Sequence, residues 1–158
     1  MQTTLAIPAA LTFKVPEVSY PRMRLSGDGT VIPTKLTTLV GAFQSFVYVS
    51  RYLSAEHFSE SSNLFRWNDE LVFFPVRRTS RIPKILRKLG LRAPTYHHAA
   101  AFGLRIKESP VAGTVIFPHE PVTIGGIGNC HVGFLTSGYA CTATLSVYKQ
   151  PIWAVGLA

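Results

Sequence analysis

Residues 71–92 have the sequence LVFFPVRRTSRIPKILRKLGLR. The first part, residues 71–76, is a short apolar run rich in Phe and Val, which is typical of a buried β-strand. After it, apolar residues recur at helical spacing on one face, at i, i+3, i+4 and i+7: Ile82, Ile85, Leu86 and Leu89. Pro83 suits the first turn of a helix, and Gly90 suits the residue that ends one. The stretch therefore predicts a strand that leads into a short amphipathic helix.

The same stretch holds most of the positive charge of the chain. Residues 77–92 contain seven basic side chains and no acidic one: Arg77, Arg78, Arg81, Lys84, Arg87, Lys88 and Arg92. The whole chain has 16 basic and 8 acidic residues and a formal net charge of +8, so the remainder carries only +1. Because a helix of two turns is marginal in water, we expect its Ile/Leu face to lie on the body of the protein. The cations would then face outward.

This clustering favours a surface that binds an anionic partner. Nucleic acid is the leading candidate, because a row of Lys and Arg neutralises several phosphates at once and releases their counterions. Anionic lipid and an acidic protein are alternative partners, and a solvated face that only aids solubility is the alternative to any partner. We therefore predict a small, basic, non-catalytic binding or assembly protein that contacts RNA, DNA or another polyanion through residues 77–92. A virion or ribonucleoprotein component, or a homo-oligomer, fits this interpretation.

The second hypothesis is a small enzyme that acts on an anionic small molecule. Arg77, Arg78 and Arg81 would then hold the anion, and His97 or His98 would transfer a proton. The two hypotheses predict different surfaces: a binding protein presents a flat or convex cationic face, whereas an enzyme gathers these residues in a deep pocket. The sequence favours the non-catalytic hypothesis, because it shows no recognisable arrangement of nucleophile, base and orienting group.

No cofactor and no metal site are predicted. Cys130, His131, His119 and Cys141 supply ligand atoms that zinc prefers, but their spacing matches no standard zinc-binding pattern. Without a recognisable secretory signal, we expect the two cysteines to be reduced, partly buried thiols.

The N-terminal part is predicted to be an extended arm. Residues 1–33 contain four prolines and the turn Ser26-Gly27-Asp28-Gly29, which allow edge strands at best. Residues 1–18 have no basic region before an apolar run, and no stretch supplies about 18 uninterrupted apolar residues, so neither a signal peptide nor a transmembrane helix is predicted. We expect a single domain over residues 1–158, in a cytoplasmic or otherwise intracellular compartment.

Two further segments decide how much helix the fold contains. Residues 35–53 keep apolar residues at helical spacing and predict a helix, in competition with a strand over residues 46–52 that their β-branched and aromatic side chains would favour. Residues 96–107 are ambiguous at their start and favour a strand at their end.

The C-terminal half is rich in predicted strands. From residue 109 onward, short β-branched runs alternate with Gly and Pro, which is typical of an antiparallel meander. We therefore predict an α+β fold in which a helix over about residues 35–53 packs on a mainly antiparallel sheet, built chiefly from residues 71–76 and 100–157. The alternative is an all-β sandwich or barrel that includes the strand over residues 46–52.

Overall fold

The computed structural model describes residues 19–27, 48–53, 67–144 and 147–158. The described strands are β1 (Arg22–Gly27), β2 (Tyr48–Val49), β3 (Trp67–Arg78), β4 (Thr114–Ile124), β5 (Gly128–Leu135), β6 (Tyr139–Thr144) and β7 (Val147–Leu157). The described helices are α1 (Ile82–Leu89) and α2 (Tyr96–Leu104), and two 3-10 turns cover Thr79–Arg81 and Ile106–Glu108.

The strands form one mainly antiparallel sheet in the order β1-β3-β7-β4-β5-β6-β2. Neighbouring strands run antiparallel except for the pairs β4/β7 and β2/β6, which are parallel. The predicted α+β class and the β-rich C-terminal half are thus confirmed. The all-β alternative is wrong, because two helices pack on the sheet. Within the described ranges the sheet also does not close into a barrel, since β1 and β2 lie at its opposite ends.

The two helices cover opposite faces of the sheet. Along β3, Leu71 and Phe73 belong to the core cluster that also contains α2, whereas Phe74 and Val76 belong to the cluster that contains α1. We call these surfaces the α2 face and the α1 face. Because the middle of β3 is buried on both faces, residues 71–76 are a continuous apolar run and not an alternation of apolar and polar residues.

Four phenylalanines form the centre of the core on the α2 face. Phe102 from α2 lies 5.8 Å from Phe73, 5.3 Å from Phe117 and 5.3 Å from Phe134, measured between ring centroids. All four rings are buried, and their tilted or edge-on contacts are the arrangements that aromatic pairs prefer. This cluster fixes α2 against β3, β4 and β5.

Pro75 is tolerated inside β3 because of the direction in which its nitrogen points. The Phe73 N–H donates to the Pro21 carbonyl at 2.9 Å, so this residue directs its backbone polar groups toward β1. By the two-residue repeat of a strand, the Pro75 nitrogen points the same way. The described pairing of β1 with β3 ends at Arg22, opposite Val72, so the missing N–H of Pro75 interrupts no ladder bond within that pairing.

The predicted helix over residues 35–53 is only partly open to comparison. Residues 35–47 lie outside the described residues. The last part is not helical: Tyr48–Val49 is a strand parallel to β6, and the Leu53 N–H then donates to the Ser50 carbonyl at 3.0 Å in a turn. The competing strand prediction over residues 46–52 is therefore confirmed in part, which agrees with the preference of Tyr and Val for strands.

The predicted strand at the end of residues 96–107 is wrong. This segment forms α2 and then a 3-10 turn, so residues 100–104 belong to a helix and not to the sheet. Two features explain the helix. Three successive alanines have high helix propensity, and Thr95 caps the first turn by accepting a bond from the His98 backbone while the His98 side chain bonds back to the Thr95 N–H.

Part of the predicted N-terminal arm is an edge strand. Residues 1–18 and 28–33 lie outside the described residues, and β1 pairs along one side with β3. Among the described parts of the chain, neither helix has the length and apolar character needed to cross a membrane.

Candidate functional site

The helix predicted in the basic stretch is present as α1. Ile82 and Leu86 are buried against the α1 face of the sheet. Pro83 lies in the first turn, where the absence of its N–H costs no helical bond. Gly90 ends the helix with φ 67, a left-handed conformation that glycine adopts without steric cost. The Leu91 N–H then donates to the Leu86 carbonyl at 2.9 Å, which completes the helix end.

Six of the seven basic side chains form one exposed group, which we call the cationic row: Arg77, Arg78, Arg81, Lys84, Arg87 and Lys88. Arg77 and Arg78 lie at the end of β3, and the other four lie on the turn and helix that follow. At 3.6 residues per turn, the cations of α1 point away from its buried Ile/Leu face. Within the described ranges, none of the six forms an ion pair. All six side chains are therefore exposed positive charges on consecutive segments of the chain.

Arg92 differs from the cationic row because it is tied into the fold. Its guanidinium Nη2 lies 3.3 Å from Asp69 Oδ1. Its backbone pairs with Leu157, through N–H to O distances of 2.9 and 2.8 Å. Part of its charge is offset by Asp69, so Arg92 contributes less to the positive surface than the six residues of the row.

His98 is a structural residue at the start of α2. Its Nδ1 accepts the Thr95 N–H at 3.0 Å, so the proton of the neutral ring lies on Nε2 and is donated to Asp69 Oδ2 at 2.8 Å. Burial lowers the pKa of His98, an effect that its bond to Asp69 only partly opposes. Burial, followed by the proximity of His98, also lowers the pKa of His97, whose ring stacks on Tyr96 at 4.2 Å.

A pocket of about 470 Å³ lies beside α1, between this helix and the neighbouring parts of β4 and β5. Three prolines, Pro83, Pro118 and Pro121, contribute to its walls, and Ile116 lies on the α1 face beneath it. Among the described residues, no lysine, arginine or acidic side chain lines the pocket. His97 and His98 do not line it either. The arginines predicted to hold an anion and the histidines predicted to transfer a proton are therefore not brought together in this cavity.

One wall of the pocket is a bulge in β4. Phe117 pairs with Val132 and Val122 pairs with Cys130, so residues 118–121 on β4 face only His131 on β5. The sequence of this insertion is Pro-His-Glu-Pro. Proline has no N–H to donate to a neighbouring strand. The prolines at the two ends of this insertion are therefore unsuited to regular strand pairing.

At this bulge the side chain of His119 accepts a hydrogen bond from the backbone of the neighbouring strand β5. The Val132 N–H donates to His119 Nε2 at 2.8 Å, and the opposite nitrogen, Nδ1–H, donates to the Glu120 carbonyl at 2.7 Å. The ring is buried, and this burial lowers its pKa to about 4. At neutral pH His119 is therefore an uncharged, fixed ring.

His131 lies on the pocket wall against this fixed ring. The two imidazole centroids are 5.2 Å apart, and His131 is half-buried. Burial lowers the pKa of His131 as well, which makes the pocket lining uncharged at neutral pH. From the sequence, His119 and His131 are candidates for metal ligands or catalytic bases, and their place on a pocket wall is not predicted. The sequence feature that indicates the bulge beside the pocket is Pro-His-Glu-Pro, which interrupts two β-branched runs.

The described residues offer little for a metal. No group of three or more His, Cys, Asp or Glu side chains among them is arranged to hold a metal ion. Cys130 is a buried free thiol whose pKa is raised by burial, and its Sγ lies 3.5 Å from the Gly128 carbonyl.

A scan against protein-family models, a search of curated proteins and a search of solved structures found no match to this chain.

Proposed function

We propose that this protein is a non-catalytic binding protein that contacts a polyanion, foremost RNA or DNA, through the cationic row. The observation that carries the proposal is that six cations are exposed on β3, the turn Thr79–Arg81 and α1, without an ion pair in the described part of the chain. Cations that no neighbouring carboxylate neutralises are free to bind an external anion. Nucleic acid suits a row of this kind because its phosphates are also arranged in series.

The geometry gives the enzymatic hypothesis less support. An enzyme acting on a small anion would bring its cations and its proton-transfer groups into one cavity. Here the cations face outward, and the pocket of the described structure is lined by neither the row's Arg or Lys residues nor His97 and His98. His98 moreover has both ring nitrogens engaged in structural bonds.

The salt dependence of binding tests the proposal. We expect the wild-type protein to bind oligonucleotides of unrelated sequence with similar affinity. The logarithm of the affinity should fall linearly with the logarithm of the salt concentration. If all six cations contact phosphates, the slope is about −5 for duplex DNA and about −4 for a single strand.

A matched pair of variants localises the effect. Lys84→Gln removes one charge from the row, whereas Lys107→Gln removes one exposed charge from the turn Ile106–Glu108, which lies outside it. The first should make the slope shallower by about one unit, and the second should leave it unchanged. Absence of oligonucleotide binding at low salt, or equal effects of the two variants, would contradict the proposal.

A further inference from the structure

In the described part of the chain, the pocket beside α1 is lined by uncharged residues. Its walls are mostly apolar, with the imidazole of His131 and the hydroxyl group of Ser80 among the few polar groups. A volume of about 470 Å³ falls within the range of roughly 300–1,000 Å³ that is usual for small-ligand pockets. A compact, uncharged and largely apolar group therefore suits this pocket.

One residue of the cationic row projects from the pocket side of α1. Pro83 and Leu86 line the cavity, and Arg87 lies four residues after Pro83. Because residues four apart lie on the same side of a helix, Arg87 projects from the side of α1 that carries Pro83. An occupant of the pocket would therefore have its uncharged part inside and an anionic part outside, on the side of α1 from which Arg87 projects.

We infer that the pocket takes an unpaired nucleobase of a single-stranded nucleic acid whose phosphates bind to the cationic row. This inference rests on the proposed function and narrows the partner from nucleic acid in general to single strands. A nucleotide in a single strand is neutral at the base and anionic at the backbone, which matches the two parts of the site. In a duplex the same base is paired and stacked, so it is not free to enter the pocket.

The wall of the pocket is suited to stacking. His119 is held by two hydrogen bonds, of 2.8 and 2.7 Å, and lies 5.2 Å from His131, so the ring of His131 rests on a fixed neighbour. An acyl chain would also fit an apolar cavity, but it would leave the hydroxyl group of Ser80 and the ring nitrogens of His131 without a matching polar group. A base offers both a flat π-face and polar edges.

Two strands of equal length and charge separate the base from the phosphates. One is an oligodeoxyadenylate, and the other carries abasic sites in place of every base. Stacking of one base predicts that the wild-type protein binds the first between about 5- and 150-fold more tightly than the second. A duplex should lack this advantage, so its affinity should follow the phosphate contacts alone.

Two variants test whether the advantage arises in this pocket. Ala93→Phe places a large ring at an exposed position of the cavity wall and narrows the cavity, and His131→Ala removes the stacking ring. Both should bring the ratio of the two affinities close to one while affinity for the abasic strand and its salt slope stay unchanged. A melting curve shows whether each variant is folded. If His131→Ala fails to fold, Ala93→Phe still tests the inference.

Each outcome has one meaning for the inference. An undiminished ratio in folded Ala93→Phe protein overturns the base pocket, although salt-dependent binding of the abasic strand would still support the proposed function. If neither strand binds at low salt, the proposed function itself fails. If Ala93→Phe instead abolishes uptake of oleate and leaves the ratio unchanged, the pocket holds an acyl chain and the inference is overturned.

Discussion

Replacing His119 by Gln should make the stability of the protein less sensitive to acid. In the folded chain the pKa of His119 is lowered to about 4, chiefly by burial, from the value of 6.5 that we take for the unfolded chain. Protonation would place a charge in a buried position. It would also turn Nε2 into a donor that faces the Val132 N–H, 2.8 Å away.

The magnitude follows from the difference between the two pKa values. At pH values between the two pKa values, the unfolded chain binds more protons than the folded chain. The contribution of neutral His119 to the free energy of unfolding is therefore fully present above pH 6.5 and declines as the pH falls. For folded and unfolded values of about 4 and 6.5, the decline attributable to His119 is about 2 kcal/mol between pH 7.5 and 5, and about 3 kcal/mol by pH 4. This decline should be absent in His119→Gln.

Urea unfolding at several pH values measures this effect. Gln carries both an acceptor and a donor, so we expect His119→Gln to lose only about 1 kcal/mol at pH 7.5. Its loss between pH 7.5 and 5 should be smaller than that of the wild type by about 2 kcal/mol. The other histidines with lowered pKa, His97, His98 and His131, remain in both proteins and largely cancel in the comparison. Equal losses in the two proteins would refute the assigned role of His119.

Two further predictions concern how α1 and α2 are held. A Cβ atom at Gly156 would lie 2.7 Å from the Leu86 side chain, so Gly156→Ala should lower the free energy of unfolding by about 1–3 kcal/mol, whereas Gly125→Ala, with nothing within 4 Å, should change it by less than about 0.5 kcal/mol. Equal urea midpoints would contradict the packing of α1. Asp69→Ala removes the acceptor of the buried His98 Nε2–H and should cost about 1–3 kcal/mol, whereas Asp69→Asn keeps an acceptor oxygen and should cost less. A similar loss in both variants would contradict this hydrogen bond.

The sequence predicted α1 well because several local signals agree there. A 3.6-residue apolar repeat, Pro83 in the first turn and Gly90 at the end all point to the same helix. The detail of its start was not predictable: a 3-10 turn precedes it, and no side-chain cap is made at Arg81, although Thr79 and Ser80 are residues that often cap helices.

The sequence did not predict α2 because this helix lacks an amphipathic stripe. Most of its residues are buried, so its apolar side chains show no 3.6-residue repeat that would separate it from a buried strand. Its capping box uses His98 where Glu or Gln is usual, which hides the start signal.

The pocket could not be predicted either, because its walls come from distant parts of the chain. Pro83 and Pro121 meet only once α1 lies on the sheet and β4 bulges against β5. The role of His119 depends on the register of that pairing, which a single sequence does not determine. The positive charge of the cationic row, by contrast, depends only on local composition, so it could be predicted from the sequence of residues 77–92.

The most direct test of the central claim is a triple variant in which Lys84, Arg87 and Lys88 are all changed to Gln. These three side chains are exposed on α1, so folding should change by less than about 0.5 kcal/mol per site. If they contact phosphates, affinity for nucleic acids of different sequence should fall by similar factors, and the salt slope should become shallower by up to about three units. Unchanged affinity and an unchanged slope would show that the cationic row is only a solvated surface.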